Sequence, residues 1–162
     1  MRIKLTREEV LIIYEFLKKL NLKFANKECA ITIVSDMIKI KPIAQKITQE
    51  NTDVINALED DDFKKKTQEY SSIKNEVEEY LRENDKLSKD SELFKKLKKI
   101  NKEYKPIYDN FMDMATKAIL ELDQEFDFTL ELIKLEDMIE LLDKSEMDYN
   151  VESISMIYKI IK

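Results

Sequence analysis

From Ile33 the apolar residues recur at Met37, Ile40, Ala44, Ile47, Val54 and Leu58, with Asn51 as the one polar member of the series. The steps alternate between four and three residues, which is the heptad spacing that leaves one apolar seam along an α-helix. A second seam runs through Leu93, Leu97, Ile100, Tyr104, Ile107, Phe111, Met114 and Ala118, and on to Leu122. Residues 33–58 and 93–118 give seams of equal length, about 39 Å each at the rise of an α-helix. Seams this long need cover. The economical arrangement is a long antiparallel helical hairpin, coiled-coil-like, with 59–92 as its distal part. Asn51 in such a seam either fixes register at some cost in stability or is simply tolerated.

The chain has no glycine, where an average composition near 7% would give about eleven. That disfavours glycine-dependent turns and favours helices joined through Asn and Asp. Both prolines fall inside the seams, in "KPIAQ" at Pro42 and "KPIYD" at Pro106. An interior proline costs about 3 kcal/mol unless a kink accommodates it. Pairing Leu58 with Leu93 sets residue 42 nearly level with 109, which predicts a shared bend. The alternative is that each proline marks an unrelated helix end.

One stretch departs from helical spacing. In "QEFDFTLELIKLEDM", residues 124–138, Phe126, Phe128, Leu130 and Leu132 alternate with polar residues, the pattern of a half-buried strand. At the other end Ile3 and Leu5 alternate with Arg2, Lys4 and Thr6. The N-terminal run is the natural partner of 125–133, its basic face opposite Asp127 and Glu131. Cross-strand pairs of opposite charge contribute roughly 0.2–1 kcal/mol each. The fold class expected is therefore mainly α: a helical hairpin with a small two-stranded β element joining the N-terminus to 125–133. One domain is expected, with 1–30 and 120–162 as its base and 31–119 as the hairpin arm.

Local signals place the other elements. "TREE" is a capping box, Thr6 with Glu9, ahead of a helix that buries Val10, Ile13, Tyr14, Leu17 and Leu20 and stops near Asn21. The second helix starts near Asn26. "LEDDDF" at 58–63 marks a break or an acidic turn. Tyr70, Ile73, Val77, Tyr80 and Leu81 make another amphipathic helix. "ENDKLSKDSE" at 83–92 is a loop in which Asp90 or Ser91 caps the helix of the second seam. "KLEDMIELLDK" is a short helix with Met138, Leu141 and Leu142 apolar. Asp148 or Asn150 caps a closing helix that buries Val151, Ile154, Ile157, Tyr158 and Ile161.

Net charge is −6, unevenly spread. Residues 1–41 carry 9 basic and 5 acidic groups, and residues 121–162 carry 4 and 12. The two ends are complementary, so they are expected to meet. No run approaches the ~20 apolar residues of a membrane span, and "MRIKLTREEV" lacks a signal-peptide core. Cys29, the single cysteine, reads as a buried free thiol of an intracellular product.

Chemistry is mostly excluded. Histidine is absent, which removes the usual general base and most zinc sites. Without glycine there is no P-loop, dinucleotide fingerprint or nucleophile elbow. Ser71, Ser72, Ser88, Ser91 and Ser145 have no identifiable base. Glu59, Asp60, Asp61 and Asp62 lack the turn that gathers a calcium site. An enzyme is not expected, nor a cofactor, a metal or a small-molecule substrate. "KKLKKINKEYK", 95–105, is the densest basic run, but its apolar members belong to the seam. A solvated helix face is favoured over nucleic-acid binding, and a partner with an acidic surface is a third reading. What remains is protein–protein surface. A two-stranded sheet has open edges to which another chain could add. Candidate partner-binding residues are Phe126, Phe128, Leu130 and Leu132 on the strand, and Lys95 and Lys99 on the outer face of the 93–122 helix. Self-association of the heptad arm is a further possibility.

The order of elements resembles an uncharacterised family of small helical proteins encoded by tailed bacteriophages, commonly among tail and lysis genes. The resemblance rests on "MRIKLTREEVLIIYEFL", on "IVSDMIKIKPIAQKI" returning through "LFKKLKKINKEY", and above all on "EFDFTLELIKLEDMIELL" with "VESISMIYKII". At 59–92 the chain departs from the family's pattern, being longer, more charged and without its glycine turn. The family offers no catalytic residues. The resemblance implies a phage product made in the host cytoplasm, a virion component that binds a larger tail or collar protein as a structural or assembly helper. The rival expectation is a small acidic phage regulator or inhibitor of a host protein, with Glu59–Asp62 and 121–148 mimicking nucleic-acid charge.

Overall fold

The computed structural model describes residues 1–84, 86–144, 154–155 and 157–162. The protein is mainly helical. Its described elements are β1 (Arg2–Thr6), α1 (Arg7–Lys19), α2 (Lys27–Leu58), α3 (Asp61–Glu83), α4 (Glu92–Leu120), β2 (Glu125–Thr129) and α5 (Leu135–Lys144), with short 3-10 turns at Leu22–Phe24 and Tyr158–Ile160. The chain divides into two compact units, Met1–Asn51 with Leu122–Lys162, and Thr52–Glu121.

The first unit is closed by its ends. β1 and β2 pair antiparallel, with Ile3 opposite Phe128 and Leu5 opposite Phe126 on one face, and Lys4 opposite Asp127 on the other. Lys4 Nζ also reaches Glu125 at 3.3 Å. The basic start and the acidic last third therefore meet, as their charges predict. Pairing stops at Thr129, short of the expected 133. The backbone N–H of Glu131 donates to the Asp36 carboxylate at 3.1 Å, and after Leu130 the buried residue is Ile133 rather than Leu132. The alternation has slipped by one residue, which turns the chain. Ile133 then bridges in parallel to Ile161, so the last residues hold the segment beyond the strand.

Thr6 caps α1 as expected: its Oγ1 accepts the Glu9 N–H at 3.3 Å, and its own N–H donates to Glu9 Oε2 at 2.9 Å. Asn26 accepts the Cys29 N–H at 2.9 Å and opens α2. Val10, Ile13 and Leu17 of α1 join Met138, Leu141 and Leu142 of α5 in one core. Ile33, Ile40, Ala44 and Ile47 of α2 are buried in that same core. Each fully buried aliphatic side chain contributes about 1.5–3 kcal/mol. This is why the first unit extends to Asn51, well beyond the base expected to end at residue 30. Ile157 and Ile160 complete the core, whereas Tyr158 is exposed. The 3-10 turn at Tyr158–Ile160 replaces the 3.6-residue period that placed Tyr158 on a buried face, whereas Ile154 and Ile161 pack against the core as expected. The caps expected at Asp148 or Asn150, and Val151, lie outside the described residues.

In the second unit the antiparallel helical hairpin is built by α3 and α4. Phe63 stacks on Phe111 at 4.0 Å and Tyr70 on Tyr104 at 4.5 Å, so positions rise along one helix as they fall along the other. The partner expected for the 93–118 seam was 33–58. The α2 seam as far as Ile47 is instead taken up by the core of the first unit, and α4 packs on α3. Asp60 caps α3 by accepting the Phe63 N–H at 2.7 Å, and Ser91 caps α4 through Phe94 at 3.2 Å. The α4 seam holds at Ile100 and Phe111, then passes to Ala115 while Met114 is exposed. A straight helix drifts from a strict heptad in this way. Pro42 and Pro106 both lie inside continuous helices, so neither marks a helix end.

Candidate partner-docking surface

The strand residues expected to bind a partner are mostly spent on folding. Phe128 and Leu130 are 7% and 1% exposed, and Phe126 is half-buried against the same core. Leu132 is half-buried. What β2 retains is a backbone edge, since its sheet contains only β1 among the described residues. Lys95 and Lys99 lie elsewhere, exposed on α4, paired with Glu92 at 2.8 Å and Glu103 at 3.9 Å. The strand residues belong to the first unit and the two lysines to the second.

A different surface stands out in the first unit. Ile31, Val34 and Ile38 of α2 are 56%, 45% and 68% exposed. With Ala30 and Ser35 they form one shallow apolar depression. Their spacing of three and four residues places them in a row on one helix face. The same helix buries Ile33, Ile40 and Ala44, so α2 is apolar on two faces, of which only one is covered among the described residues. The signal lies in "ITIVSDMIKI", where apolar residues fill more positions than one seam needs.

On the core side of α2, away from the exposed row, lies Asp36, which is fully buried. Burial pushes its carboxyl above the ordinary range, an effect opposed by the Glu131 N–H and by Lys39 Nζ at 3.6 Å. Oδ2 meets no hydrogen-bond donor among the described residues. Asp36 sets where β2 ends rather than performing chemistry.

The remaining charged groups hold the unit together. Arg7 is 8% exposed; its Nη1 donates to Glu50 at 2.6 Å and its Nη2 to Asn51 Oδ1 at 3.0 Å. Asn51 is thus an anchor for a buried guanidinium, and the Arg7 hydrogen bond draws the Glu50 carboxyl below its usual range. Glu9 is desolvated, which alone would raise it, but Lys159 and the Thr6 N–H lower it overall. Cys29 is a buried free thiol, raised first by burial and then by Asp137, and so a poor nucleophile. Of the acidic run, Asp60 serves as a cap. Among the described residues no three His, Cys, Asp or Glu side chains gather as metal ligands, and no helix is long and apolar enough to cross a membrane. Comparison with known protein families, curated proteins and solved structures finds no match to this chain, so its surface is read from its own chemistry.

Proposed function

We propose that this chain is a non-enzymatic protein-binding module whose Ile31–Val34–Ile38 face receives an amphipathic helix of a larger partner. The observation that carries this is the exposure of three aliphatic side chains in one row of a helix whose opposite side is already packed. Exposed rows of this kind are the anchors of helix-on-helix recognition. Lys27 and Lys41 are exposed on the same helix, and they favour a partner helix flanked by acidic residues. On the resemblance in element order, the partner is a tail or collar protein of a tailed-phage particle, and the chain is a structural or assembly helper carried in the virion.

Mass spectrometry of purified particles tests the location, and stoichiometric presence is expected. Absence, with a host protein co-purifying from infected cells, would favour an acidic regulator instead. The docking face is tested separately by an Ile31→Lys, Ile38→Lys double variant. It should fold normally yet be lost from particles or from the partner. Undiminished incorporation would move the contact elsewhere, with the β2 edge next to be tested.

A further inference from the structure

α3 and α4 leave a groove of about 590 Å³ along their hairpin, a volume within the range that bound ligands occupy. Three tyrosines line it. Tyr70 and Tyr104 stack at 4.5 Å, and Tyr108 tilts against Tyr104 at 5.8 Å. The Tyr104 hydroxyl is engaged with Thr67 Oγ1 at 3.1 Å, so this ring belongs to the hairpin's own packing. Tyr108 is 43% exposed. Beside the rings lie Ser71 and Asn101, both exposed, whose side chains meet no partner among the described residues. Lys105 and Asp109 pair at 2.9 Å and complete the lining.

Nucleobases, proline rings and sugar rings all stack on tyrosine, and the polar lining discriminates among them. Nucleic acid brings phosphates, but Lys105, the one cation lining the groove among the described residues, is paired with Asp109. A proline-rich strand brings carbonyl acceptors without N–H donors, so Asp109 and half of the Asn101 amide would go unused. Neutral hydroxyls are donors and acceptors at once, and they match Ser71, Asn101 and the Lys105–Asp109 pair side by side. A pyranose with equatorial substituents also presents axial C–H groups on its faces. Their slight positive charge suits the negative face of a tyrosine ring. We propose that this groove binds a neutral oligosaccharide of equatorially substituted pyranose units, with Tyr108 as the stacking platform and Ser71 and Asn101 as hydroxyl partners. The proposal rests on the second unit alone and does not depend on the α2 docking face.

The test titrates the full chain with cellopentaose and with chitopentaose, following the tyrosine ring signals by NMR and the heat by calorimetry. Oligothymidylate and decaproline serve as comparisons. At least one of the two sugars should shift ring signals saturably. Tyr108→Ala and Asn101→Ala should each weaken that binding roughly tenfold, Tyr108→Phe should retain it, and thermal melting should confirm that all three variants fold. The proposal is overturned if neither sugar shifts the rings at about 10 mM, a level at which even weak binding shows. It is equally overturned if binding survives both alanine substitutions, or if only oligothymidylate or decaproline binds.

Discussion

The carboxylate of Asp36, in the middle of α2, accepts the backbone N–H of Glu131 at 3.1 Å across 95 positions of sequence. Asp36 is fully buried and the hydrogen bond part-buried, so removing the carboxylate loses a charge-assisted bond and leaves the Glu131 N–H without its acceptor. Asp36→Ala should therefore destabilise the protein by about 1–3 kcal/mol. Asp36→Asn keeps an acceptor and removes a buried charge, so it should melt at or above the parent temperature at pH 7. Burial raises the Asp36 carboxyl in the folded state. The folded protein thus holds this proton more tightly than the unfolded chain, and the contribution of Asp36 to stability falls as pH rises above its ordinary value. Thermal melting of the Asn variant should lack that decline. An Asn variant less stable than Asp36→Ala would refute this account.

Glu9 and Lys159 form a second long-range tie, 2.7 Å apart and roughly three-quarters shielded from solvent. Glu9 is lowered in the folded state, so its contribution is present above its ordinary value of 4.5 and is lost as pH falls through the lower folded value. Lys159 is raised from 10.5, chiefly by its Glu9 hydrogen bond. Its contribution is present below that value and is lost as pH rises through the higher folded one. Lys159→Met should cost about 0.5–1 kcal/mol at pH 7 and flatten both limbs of a stability–pH curve. Unchanged limbs would show that the pair is not coupled to folding.

Leu5 is fully buried opposite Phe126. Leu5→Ala should cost about 2–5 kcal/mol, and deleting residues 1–5 should lower the melting temperature further by unpairing β2. If the truncated chain melts like the parent, β1 does not clasp the fold.

In the hairpin, Phe63 stacks on Phe111 and is 9% exposed. Phe63→Ala should cost about 3–5 kcal/mol, and Asp60→Ala, which removes the cap, about 0.5–2 kcal/mol. Circular dichroism should register the first as a loss of helix on mild heating. Hydrogen exchange should place the second in the opening turn of α3 rather than throughout the chain.

The helices, their caps and the strand pair are legible in the sequence because each rests on local chemistry. Thr6 with Glu9 and Ser91 cap where their side chains predict, Asp60 caps α3 in a run that read only as a break or an acidic turn, and the β1–β2 face follows from alternation. What spacing does not reveal is which helix covers which seam. Ile33–Ile47 and Leu93–Ala118 carry the same repeat, and a repeat does not name its partner; packing against Leu141 and Leu142 decides the first. The end of β2 depends on Asp36, a single distant carboxylate with no local signature. Tyr158 escapes the helical period because a 3-10 turn changes that period at the end of the chain. The surface residues Ile31, Val34 and Ile38 are overshadowed by the stronger seam in the same helix.

The separation of contacts along the chain has a consequence for how the protein is made. Thr67 meets Tyr104 across 37 positions, whereas Lys4 meets Glu125 across 121 and Lys159 meets Glu9 across 150. Contacts that close short loops form early, and those that close long loops wait. During synthesis the α3–α4 hairpin has its whole sequence available once residue 120 has emerged. The first unit must keep β1 unpaired until residues 125–129 are available, and its core stays incomplete until Ile133 can bridge to Ile161. The growing chain should therefore carry a folded second unit while the first is still incomplete. α1 and α2 are made before α3 and α4 yet find their full core after them, and that interval is when the protein most needs protection from aggregation.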